Sequence, residues 1–453
     1  MKRPYEDLDR RTVLELLGVA GTVGLAGCTG GGGDGGDGGG DGGDGGDGSS
    51  GDGGGGSSGD GGDGDGDGSG GSDGDGGSMS GTVTIGLQGD MTGPLSTYGF
   101  WFERTLTNYV EELNADGGIN GMDVELVVED TATDGKQGAT AFRKLVQQKD
   151  ADFVVGSFSS GVNLATTPLA RQLQTPYFPS GSAPSTTGED GNRWIVRTAH
   201  EIKQNASLGV RWGLDNLGSQ WTVIYQDYAF GQQWLAAIKE FIDGEGEVIE
   251  EIPVPIGTTD LNSYLNNVPD ETEVLFSALI LPSSINFLQQ TADLGVPGER
   301  LGDISSIEGV NVTDIQDAGE GATFLTGLPP SLDTEGNNHL RELAAVDDAD
   351  QNLVRQYWVA YEALSFIKMA VEESGWASAD DNQAFIEWFE SGPSVDEGVD
   401  FPQGDKFIRG ADHQAFMDRY MTRITDGDLE VITELELDEP PTAPAADFTS
   451  QSF

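Results

Sequence analysis

The sequence predicts an α/β protein whose parallel sheets are divided between two lobes. From Gly81 onward, short apolar runs of strand length alternate with amphipathic segments of helical period. This alternation is typical of parallel sheets covered by helices. The region from residue 79 to residue 453 is also too long for one core, because single cores rarely exceed ~250–300 residues. No apolar run after residue 80 reaches the ~20 residues that a membrane-spanning helix needs.

The first part of this region predicts four strands and the helices between them. Phe102, Leu106 and Val110 recur at helical spacing, and Gly117-Gly118 ends that helix. A second amphipathic helix covers residues 139–146. The predicted strands are Thr82–Leu87, Val124–Val128, Phe153–Val155 and Pro176–Phe178.

A second set of strands begins at Trp221 and predicts the second lobe. A helix around Gln232–Ile242 follows its first strand, and a long helix near Leu353–Val371 carries aromatic residues that we expect in a core. The last residues, 440–453, are rich in Pro, Ala and Ser, which predicts a flexible tail. The predicted strands are Trp221–Tyr225, Val248–Ile252, Val274–Ile280 and Ala322–Thr326.

The first 28 residues are typical of an export signal. Arg10-Arg11 precedes a short apolar run, and Leu25-Ala-Gly-Cys28 follows it. The order of these features predicts a twin-arginine lipoprotein signal over residues 1–27. Cys28 is the only cysteine of the chain, and it stands where such a signal is cleaved and lipidated. We therefore expect the protein to be exported and anchored to the outer face of the cell membrane through Cys28.

Residues 28–78 predict a disordered tether. They are almost wholly Gly, Asp and Ser, so they bury nothing that offsets the entropy of ordering. A Gly-rich coil of ~50 residues spans roughly 40 Å. The alternation at Asp63–Asp67 leaves a weak calcium site as an alternative, although the later acidic ligand of an EF-hand loop is missing.

The charge of the chain limits its partners. The formal net charge is -54, and only 16 of the 77 acidic and four of the 23 basic residues lie in residues 1–78. A globular region this acidic repels itself in dilute salt, but the ~3 Å Debye length of molar salt screens the repulsion. The composition therefore favours a halophilic host and argues against nucleic acid as a partner. Three histidines and one cysteine leave little for a metal or thiol site.

Several ordered motifs resemble one protein family. The most specific is Asn114-Ala-Asp-Gly-Gly-Ile-Asn-Gly121, and it is accompanied by Met91-Thr-Gly-Pro94, Asp227-Tyr-Ala-Phe-Gly231 and Gly257-Thr-Thr-Asp260. Together they resemble the leucine/isoleucine/valine-binding protein family over about residues 81–425. These are the type I periplasmic substrate-binding proteins of ABC transporters.

The resemblance implies a two-lobed fold with ligand in the cleft between the lobes. Each lobe would be a parallel-sheet α/β sandwich, and the chain would cross the hinge three times. The implied lobe boundaries are 79–200 with 331–405 for lobe 1, and 201–330 with 406–439 for lobe 2. The implied function is capture of a small solute, a branched-chain amino acid or a related carboxylate or amide, for delivery to ABC permease and ATPase subunits. We expect a monomer without a cofactor.

The resemblance also implies a seat for a ligand carboxylate. Ser159 and Ser160 follow a strand and open a helix, where hydroxyls and free backbone amides favour an anion. Ser160 aligns with the family's carboxylate-binding serine. Ser182 and Ala183 align with a second contact, although Ala183 offers only its backbone. Tyr98 aligns with an aromatic wall of the pocket. The alternative is that these serines only cap helices and that Tyr98 is an ordinary core or surface aromatic residue, in which case none of them contacts a ligand.

The half of the family site that binds an ammonium group is altered. An ungapped alignment places Ile202, Phe230 and Ile304 at its positions. Glu201 or Glu308 could restore a carboxylate after a shift of one to four residues, and Tyr228 lies two residues from Phe230. A desolvated ammonium without a counter-charge costs several kcal/mol. An acid, an amide or a small apolar solute therefore fits the sequence as well as an amino acid does.

Enzyme chemistry has little support in the sequence. Gly156–Gly161 does not fit the Gly-x-Ser-x-Gly pattern of a hydrolase, and His200, His339 and His413 have no evident triad setting. No Gly-rich nucleotide motif opens a helix after a strand. We expect a transport receptor rather than an enzyme. A ligand-sensing module that signals to a membrane partner is the alternative.

Overall fold

A computed structural model describes residues 81–346 and 356–453. The predicted signal peptide, Cys28 and the Gly/Asp tract with its calcium alternative all lie outside these residues. Within them, the predicted α/β fold class is confirmed, and hydrophobic clusters separate two lobes.

Lobe 1 is built on a four-stranded parallel sheet with the strand order β2-β1-β3-β4. Its strands and helices are β1 (Thr82–Gly89), α1 (Ser96–Ala115), β2 (Asp123–Asp130), α2 (Gly135–Gln148), β3 (Phe153–Gly156), α3 (Ser160–Leu173) and β4 (Tyr177–Phe178). β1 lies in the middle of the sheet and is buried from Val83 onward. The carboxyl ends of β1 and β3 therefore meet at one edge, where ligands bind in open α/β sheets.

Lobe 2 is built on a seven-stranded sheet with the order β14-β13-β9-β8-β7-β5-β6. Strands β5 to β9 run parallel, whereas β13 pairs antiparallel with both β9 and β14. Two hydrophobic clusters cover its two faces. Its elements are α4 (Ile202–Asn216), β5 (Gln220–Gln226), α5 (Ala229–Ile242), β6 (Glu247–Val254), α6 (Asn262–Leu265), β7 (Val274–Ala278), α7 (Ser283–Leu294), β8 (Glu299–Asp303), α8 (Gln316–Gly319), β9 (Thr323–Thr326), β13 (Arg419–Thr425) and β14 (Asp428–Leu435).

The chain returns to lobe 1 after β9 and leaves it again after β12. The returning elements are α9 (Glu335–Leu343), α10 (Trp358–Ser374), α11 (Asn382–Glu390), β10 (Ser394–Val395), β11 (Lys406–Arg409) and β12 (Gln414–Met417). The last three form a small antiparallel sheet, and Arg197 bridges to Gln414 beside it. Residues 406–417, which the sequence assigned to lobe 2, thus pair on the lobe 1 side, and the seven-stranded sheet resumes at Arg419.

Helix α10 is the central helix of lobe 1. Residues Trp358 to Ile367 are buried on every side of it, and it packs against α1, α11 and β3. Such all-round burial is typical of a helix that serves as core rather than as surface. The aromatic residues of this helix are therefore core residues, as the sequence predicted.

The end of the chain, predicted to be flexible, is docked against lobe 1. Phe448 is fully buried, and its amide donates to the carbonyl of Ala411. The Phe453 ring lies 3.6 Å from the Arg193 guanidinium and 5.6 Å from the Trp194 ring. Two phenylalanines in a Pro/Ala/Ser-rich segment bury enough apolar surface to hold it in place.

Helices of the described residues are either too short or too polar to cross a bilayer.

Candidate functional site

The loop after β3 is fixed by a buried carboxylate from the end of β1. Asp90 is 2% exposed and accepts hydrogen bonds from the Ser157 hydroxyl at 2.6 Å and from the Phe158 amide at 3.0 Å. Thr131 donates to the same carboxylate. Burial raises the pKa of Asp90, and these hydrogen bonds oppose the shift. Asp90 thus holds residues 157–158 in the position from which the next helix starts.

Ser159 and Ser160 begin α3 as the sequence predicted. Ser159 is the N-cap, and its hydroxyl accepts from the Val162 amide at 3.4 Å. The Ser160 hydroxyl accepts from the Ala183 amide at 3.2 Å. Both serines are partly exposed. Because the first amides of a helix have no partner within it, this end of α3 suits an anion.

The loop after β4 joins the same place. Asn163 donates to the Ser157 carbonyl and accepts from the Gly181 amide, both at 2.9 Å, so it ties the two loops together. A side chain at Gly181 would collide with Asn163 and with the Ser160 backbone. Ser182 lies partly exposed beside them. The hydrogen bond from the Ala183 amide to the Ser160 hydroxyl joins the two loops. The two ligand contacts that the sequence predicted separately therefore lie at one place.

Arg197 shapes this seat from behind. Its guanidinium is fully buried and donates to the carbonyls of Gly181 at 3.1 Å and Ala183 at 2.6 Å, as well as to Thr187 and Gln414. Burial lowers the pKa of Arg197 to about 10, so it remains charged near neutral pH. Arg197 is a positioning residue that fixes the backbone of this loop at Gly181 and Ala183.

Tyr98 connects the seat with the opposite lobe. Its ring stacks on Phe158 with the ring centroids 3.8 Å apart. Glu308, Asp303 and Tyr228, all from lobe 2, are close enough to act on its hydroxyl. Burial raises the pKa of Tyr98 well above its usual value, and these three groups raise it further. Tyr98 therefore lies at the interface between the lobes, with carboxylates opposite it.

The lobe 2 carboxylates correct the ungapped alignment. Ile202 and Ile304 are each 1% exposed and belong to hydrophobic cores, so neither borders the cleft. Glu201 accepts from the Lys203 amide at 2.8 Å and the Gln204 amide at 2.7 Å, and it is therefore the N-cap of α4. Asp303 and Glu308, which flank the short turn containing Ile304, are the acidic residues that act on Tyr98.

Aromatic side chains of lobe 2 lie on the same side of the cleft. Phe230, in the first turn of α5, stacks with Tyr228 at a centroid distance of 6.0 Å and is partly exposed. Burial raises the pKa of Tyr228 to about 12. Tyr228 rather than Phe230 acts electrostatically on Tyr98, because only the tyrosine carries a hydroxyl.

The two lobes are in contact across the cleft. The Gln356 amide of lobe 1 donates to Glu308 of lobe 2 at 2.9 Å. At the rim, a side chain added at Gly309 would lie 3.3 Å from the Thr97 methyl. The two lobes therefore touch both beside the hinge and at the rim of the cleft. Gln356 was missed by the sequence reasoning because it precedes α10 without any recognisable motif.

Two further features lie in lobe 2. A small cavity is lined by Ser277, Ser284 and Ser306 together with apolar side chains. Asn205, which begins an Asn-Ala-Ser tripeptide of the N-glycosylation pattern, is 1% exposed and donates to Asp303, so the folded protein does not offer it for glycosylation. Within residues 81–346 and 356–453, no three metal-ligating side chains come together.

The comparisons with known proteins agree with this architecture. Residues 82–428 match the family model described as periplasmic binding protein. The Leu/Ile/Val-binding protein BraC3 of Rhizobium johnstonii is 26% identical over 328 residues, which are 70% of this chain and 86% of that protein.

Two solved structures share the fold. A solute-binding protein of R. palustris in complex with 4-hydroxybenzoate superposes with a TM-score of 0.69 at 20% identity, covering 78% of this chain and 98% of that one. LivJ from Streptococcus pneumoniae in complex with isoleucine gives a TM-score of 0.65 at 19% identity, covering 78% and 99%. The predicted resemblance and fold are confirmed.

Proposed function

Because the chain belongs to the periplasmic binding protein family, we propose that it captures a small amino acid outside the cell and delivers it to an ABC permease. Proteins of this family bind solutes for ABC transporters and are not enzymes. The cleft of this chain offers hydrogen-bond donors on one lobe and carboxylates on the other. An α-amino acid carries the complementary pair, an ammonium group and a carboxylate, on one carbon atom.

The observation that supports an amino acid most is the position of Tyr98. On one side of it lies the Ser160 seat, and on the other lie Asp303 and Glu308. In our proposal the α-carboxylate accepts from the Ser160 hydroxyl and from the first amides of α3, and the ammonium group faces Glu308 and Asp303. Ser159, Ser182 and Ala183 shape the carboxylate side, and Tyr98 and Phe230 provide apolar walls.

Closure would link binding to delivery. A solute that contacts both lobes stabilises the closed form relative to the open one, because only the closed form places both sets of groups against it. The contact between Gln356 and Glu308 adds an interlobe hydrogen bond in the closed form. The permease then receives a protein whose shape reports that the cleft is occupied.

The anchoring part of the proposal concerns residues 1–78. A lipidated Cys28 with a tether of ~50 residues would keep a monomeric receptor within roughly 40 Å of its permease. The strongly acidic surface, with a net charge of -54 for the whole chain, is consistent with an external compartment of high salt. Mass spectrometry of the membrane fraction tests the lipid on Cys28.

A ligand screen tests the function. Thermal unfolding of the purified protein in molar KCl is measured with amino acids, aromatic and aliphatic carboxylates and amides. A true solute at a hundredfold excess over its Kd stabilises the protein by about 2.7 kcal/mol. If aromatic carboxylates alone raise the melting temperature, the solute lacks an amino group and our assignment of the acidic side is wrong. If no solute does so, the receptor function itself is contradicted.

The variant Ser160→Ala tests the carboxylate seat. Removing one hydrogen bond to a charged group costs about 1.5–3 kcal/mol, so we expect affinity to fall roughly ten- to hundredfold. Ser207→Ala, a partly exposed serine of α4 whose hydroxyl bonds within its own helix, is the matched control. Unchanged affinity in Ser160→Ala would show that the carboxylate binds elsewhere.

A further inference from the structure

Arg419 is a buried cation without a hydrogen-bond acceptor. It begins β13 at the third crossing of the hinge and is 0% exposed. Among the described residues, Nε, Nη1 and Nη2 all lack a partner. Buried polar groups are almost always hydrogen-bonded, and leaving a charged group unbonded is especially costly. Five N–H donors at this position therefore require an acceptor that the protein does not supply.

Arg197 shows how the same protein treats a structural arginine. It is equally buried, yet its guanidinium donates to two carbonyls, one hydroxyl and one amide oxygen. The two arginines have the same chemistry and the same burial, and both lie near the hinge crossings. Arg419 differs only in having its donors unused.

The carboxylates nearest to Arg419 are bonded to other groups. Asp303 and Glu308 attract it electrostatically, but neither accepts a hydrogen bond from it. Asp303 accepts from Asn205 at 2.9 Å and from a backbone amide at 3.0 Å. Glu308 accepts from Gln356 at 2.9 Å. The protein thus compensates the charge of Arg419 without satisfying its donors.

Local carbonyls are occupied as well. Gln403 donates to the Gly327 carbonyl at 3.3 Å and to the Asp418 carbonyl at 2.6 Å. Both carbonyls adjoin Arg419, because Gly327 is packed against its guanidinium and Asp418 precedes it in the chain. Gln403 therefore satisfies carbonyls that could otherwise accept from the arginine.

Other polar atoms without partners lie at the same crossings. They are Nδ1 of His200, Nε1 of Trp358 and Oε1 of Gln356. The ring centroids of His200 and Trp358 are 6.2 Å apart. Trp358 and Arg419 both pack against Gly327. Burial lowers the pKa of His200 well below its usual value, and Arg419 lowers it further. These neutral groups and Arg419 together form a polar wall at the hinge.

This hinge wall borders the proposed ammonium site. Asp303 and Glu308 are near enough to both Tyr98 and Arg419 to act on each of them electrostatically. A group that extends from an amino acid past these two carboxylates would therefore approach Arg419.

We propose that Arg419 donates to a second acidic group of the bound solute, so that the solute is an amino acid with an acidic side chain. A guanidinium binds a carboxylate in a bidentate manner that few other ligand groups can match. The α-carboxylate then lies at Ser160, the ammonium group at Asp303 and Glu308, and the side-chain carboxylate at Arg419. This assignment rests on the proposed function and narrows its class of solute.

Calorimetric titrations of the folded protein in molar KCl test the assignment. Glutamate, glutamine and isoleucine are compared in wild type, Arg419→Met, Arg419→Lys and the control Arg423→Met, an exposed arginine of the same strand. We expect wild type to bind glutamate at least about tenfold more tightly than glutamine. Arg419→Met is expected to lose that preference while its affinity for glutamine changes less than about twofold, and Arg419→Lys is expected to retain part of it.

Three results would overturn the assignment. Wild type that binds isoleucine or glutamine as tightly as glutamate would exclude a second acidic group, although the proposed function would stand. Equal weakening of all solutes in Arg419→Met would show a structural role. If Arg419→Met does not fold, the same comparison is made with Arg419→Lys. A retained preference for glutamate over glutamine would then show that a positive charge at this position is enough to recognise the second acidic group. An equal loss of affinity for all solutes would contradict the proposal. Binding of no solute in the wider screen would contradict the proposed function itself.

Discussion

At the scale of single residues, the site is defined by which polar groups already have partners inside the protein. Asp90, Arg197 and Glu201 are all buried or nearly so, and their hydrogen bonds are made to the protein's own loops and helix ends. They build the cleft without needing a solute. Tyr98, Ser160 and Glu308 border the cleft, and in our proposal the solute contacts them in addition to their partners within the protein.

Glu308→Gln tests the acidic side of the cleft. The variant keeps the shape of the side chain but removes the charge that faces the ammonium group. We expect the affinity for an amino acid to fall roughly ten- to hundredfold, while an analogue without the amino group is unaffected. Titration calorimetry with a matched pair of an amino acid and its des-amino acid measures the difference. A parallel loss for both ligands would contradict the assignment.

The buried ion pair of Lys406 and Glu362 predicts a stability effect apart from binding. Their side chains are 0% and 1% exposed, with 2.5 Å between Nζ and Oε2. Glu362→Gln would leave Lys406 as a buried charge without a carboxylate, which costs about 4 kcal/mol. The double variant Glu362→Leu with Lys406→Met should recover most of this loss. Denaturant unfolding measures both, and an additive loss would contradict a coupled pair.

At the scale of elements, helix α11 and the docked chain end are joined by a charged cluster. Glu390, at the end of α11, accepts from Arg193 at 2.5 Å and 2.8 Å, and Arg193 in turn carries the Phe453 ring on its guanidinium face. His413 lies 3.7 Å from Glu390. The cluster holds together segments that are far apart in the sequence.

Glu390 makes part of the stability depend on pH. Burial opposes its ionisation, but Arg193 and His413 outweigh this and lower the pKa of Glu390 to about 2. A carboxyl group whose pKa is lower in the folded than in the unfolded state stabilises the fold above its unfolded pKa, near ~4.3. We therefore expect this contribution to be complete above pH ~5 and lost as the pH falls toward 2.

The variant Glu390→Gln measures that contribution. The difference in unfolding free energy between wild type and variant should be largest near neutral pH and should shrink as the pH falls below ~4.3. Glu372→Gln, an exposed glutamate of α10, is the control and should show a much smaller difference. A constant difference between the wild type and Glu390→Gln across this range would contradict the ionic role of Glu390.

The elements themselves followed from sequence patterns more readily than the site did. Strand Thr82–Leu87 was found within two residues of its end, because an apolar run between polar turns is a local signal. Ser159 and Ser160 were placed at the start of a helix for the same reason, since a serine before a helix is a local cap, and their role in binding a ligand stays a prediction. Glu308 was reached only as one of two alternatives in the family alignment, and Arg419 was missed, because the positions of both depend on how distant strands meet and no local pattern carries that information. The docking of the chain end was missed because its Pro, Ala and Ser content predicted flexibility, and the anchoring role of Phe448 and Phe453 was not considered.

At the scale of the whole molecule, charge is the dominant feature. A net charge of -54 over 453 residues is carried largely by the lobes, where exposed lysines such as Lys144 and Lys239 form ion pairs with some of the carboxylates. Repulsion among exposed carboxylates opposes the compact state. The buried groups that form the cleft are much less affected, because salt screens exposed charges more than buried ones.

The stability of the fold should therefore depend more strongly on salt concentration than the affinity for the solute does. Raising KCl from ~0.1 to ~1 M shortens the Debye length from ~10 to ~3 Å, so we expect the unfolding midpoint to rise continuously over this range. Differential scanning calorimetry at several KCl concentrations measures the effect. A chemically matched control is sodium sulfate at equal ionic strength, which separates screening from ion-specific effects. A midpoint independent of salt would show that surface repulsion is not limiting.

The central claim is that this cleft holds an amino acid by its carboxylate on lobe 1 and its ammonium group on lobe 2. A crystal structure of the protein grown in molar salt with the tightest-binding solute of the screen tests it most directly. We expect the carboxylate within hydrogen-bonding distance of the Ser160 hydroxyl and the ammonium group against Glu308 or Asp303. A solute bound in the reverse orientation, or outside the cleft, would contradict the claim.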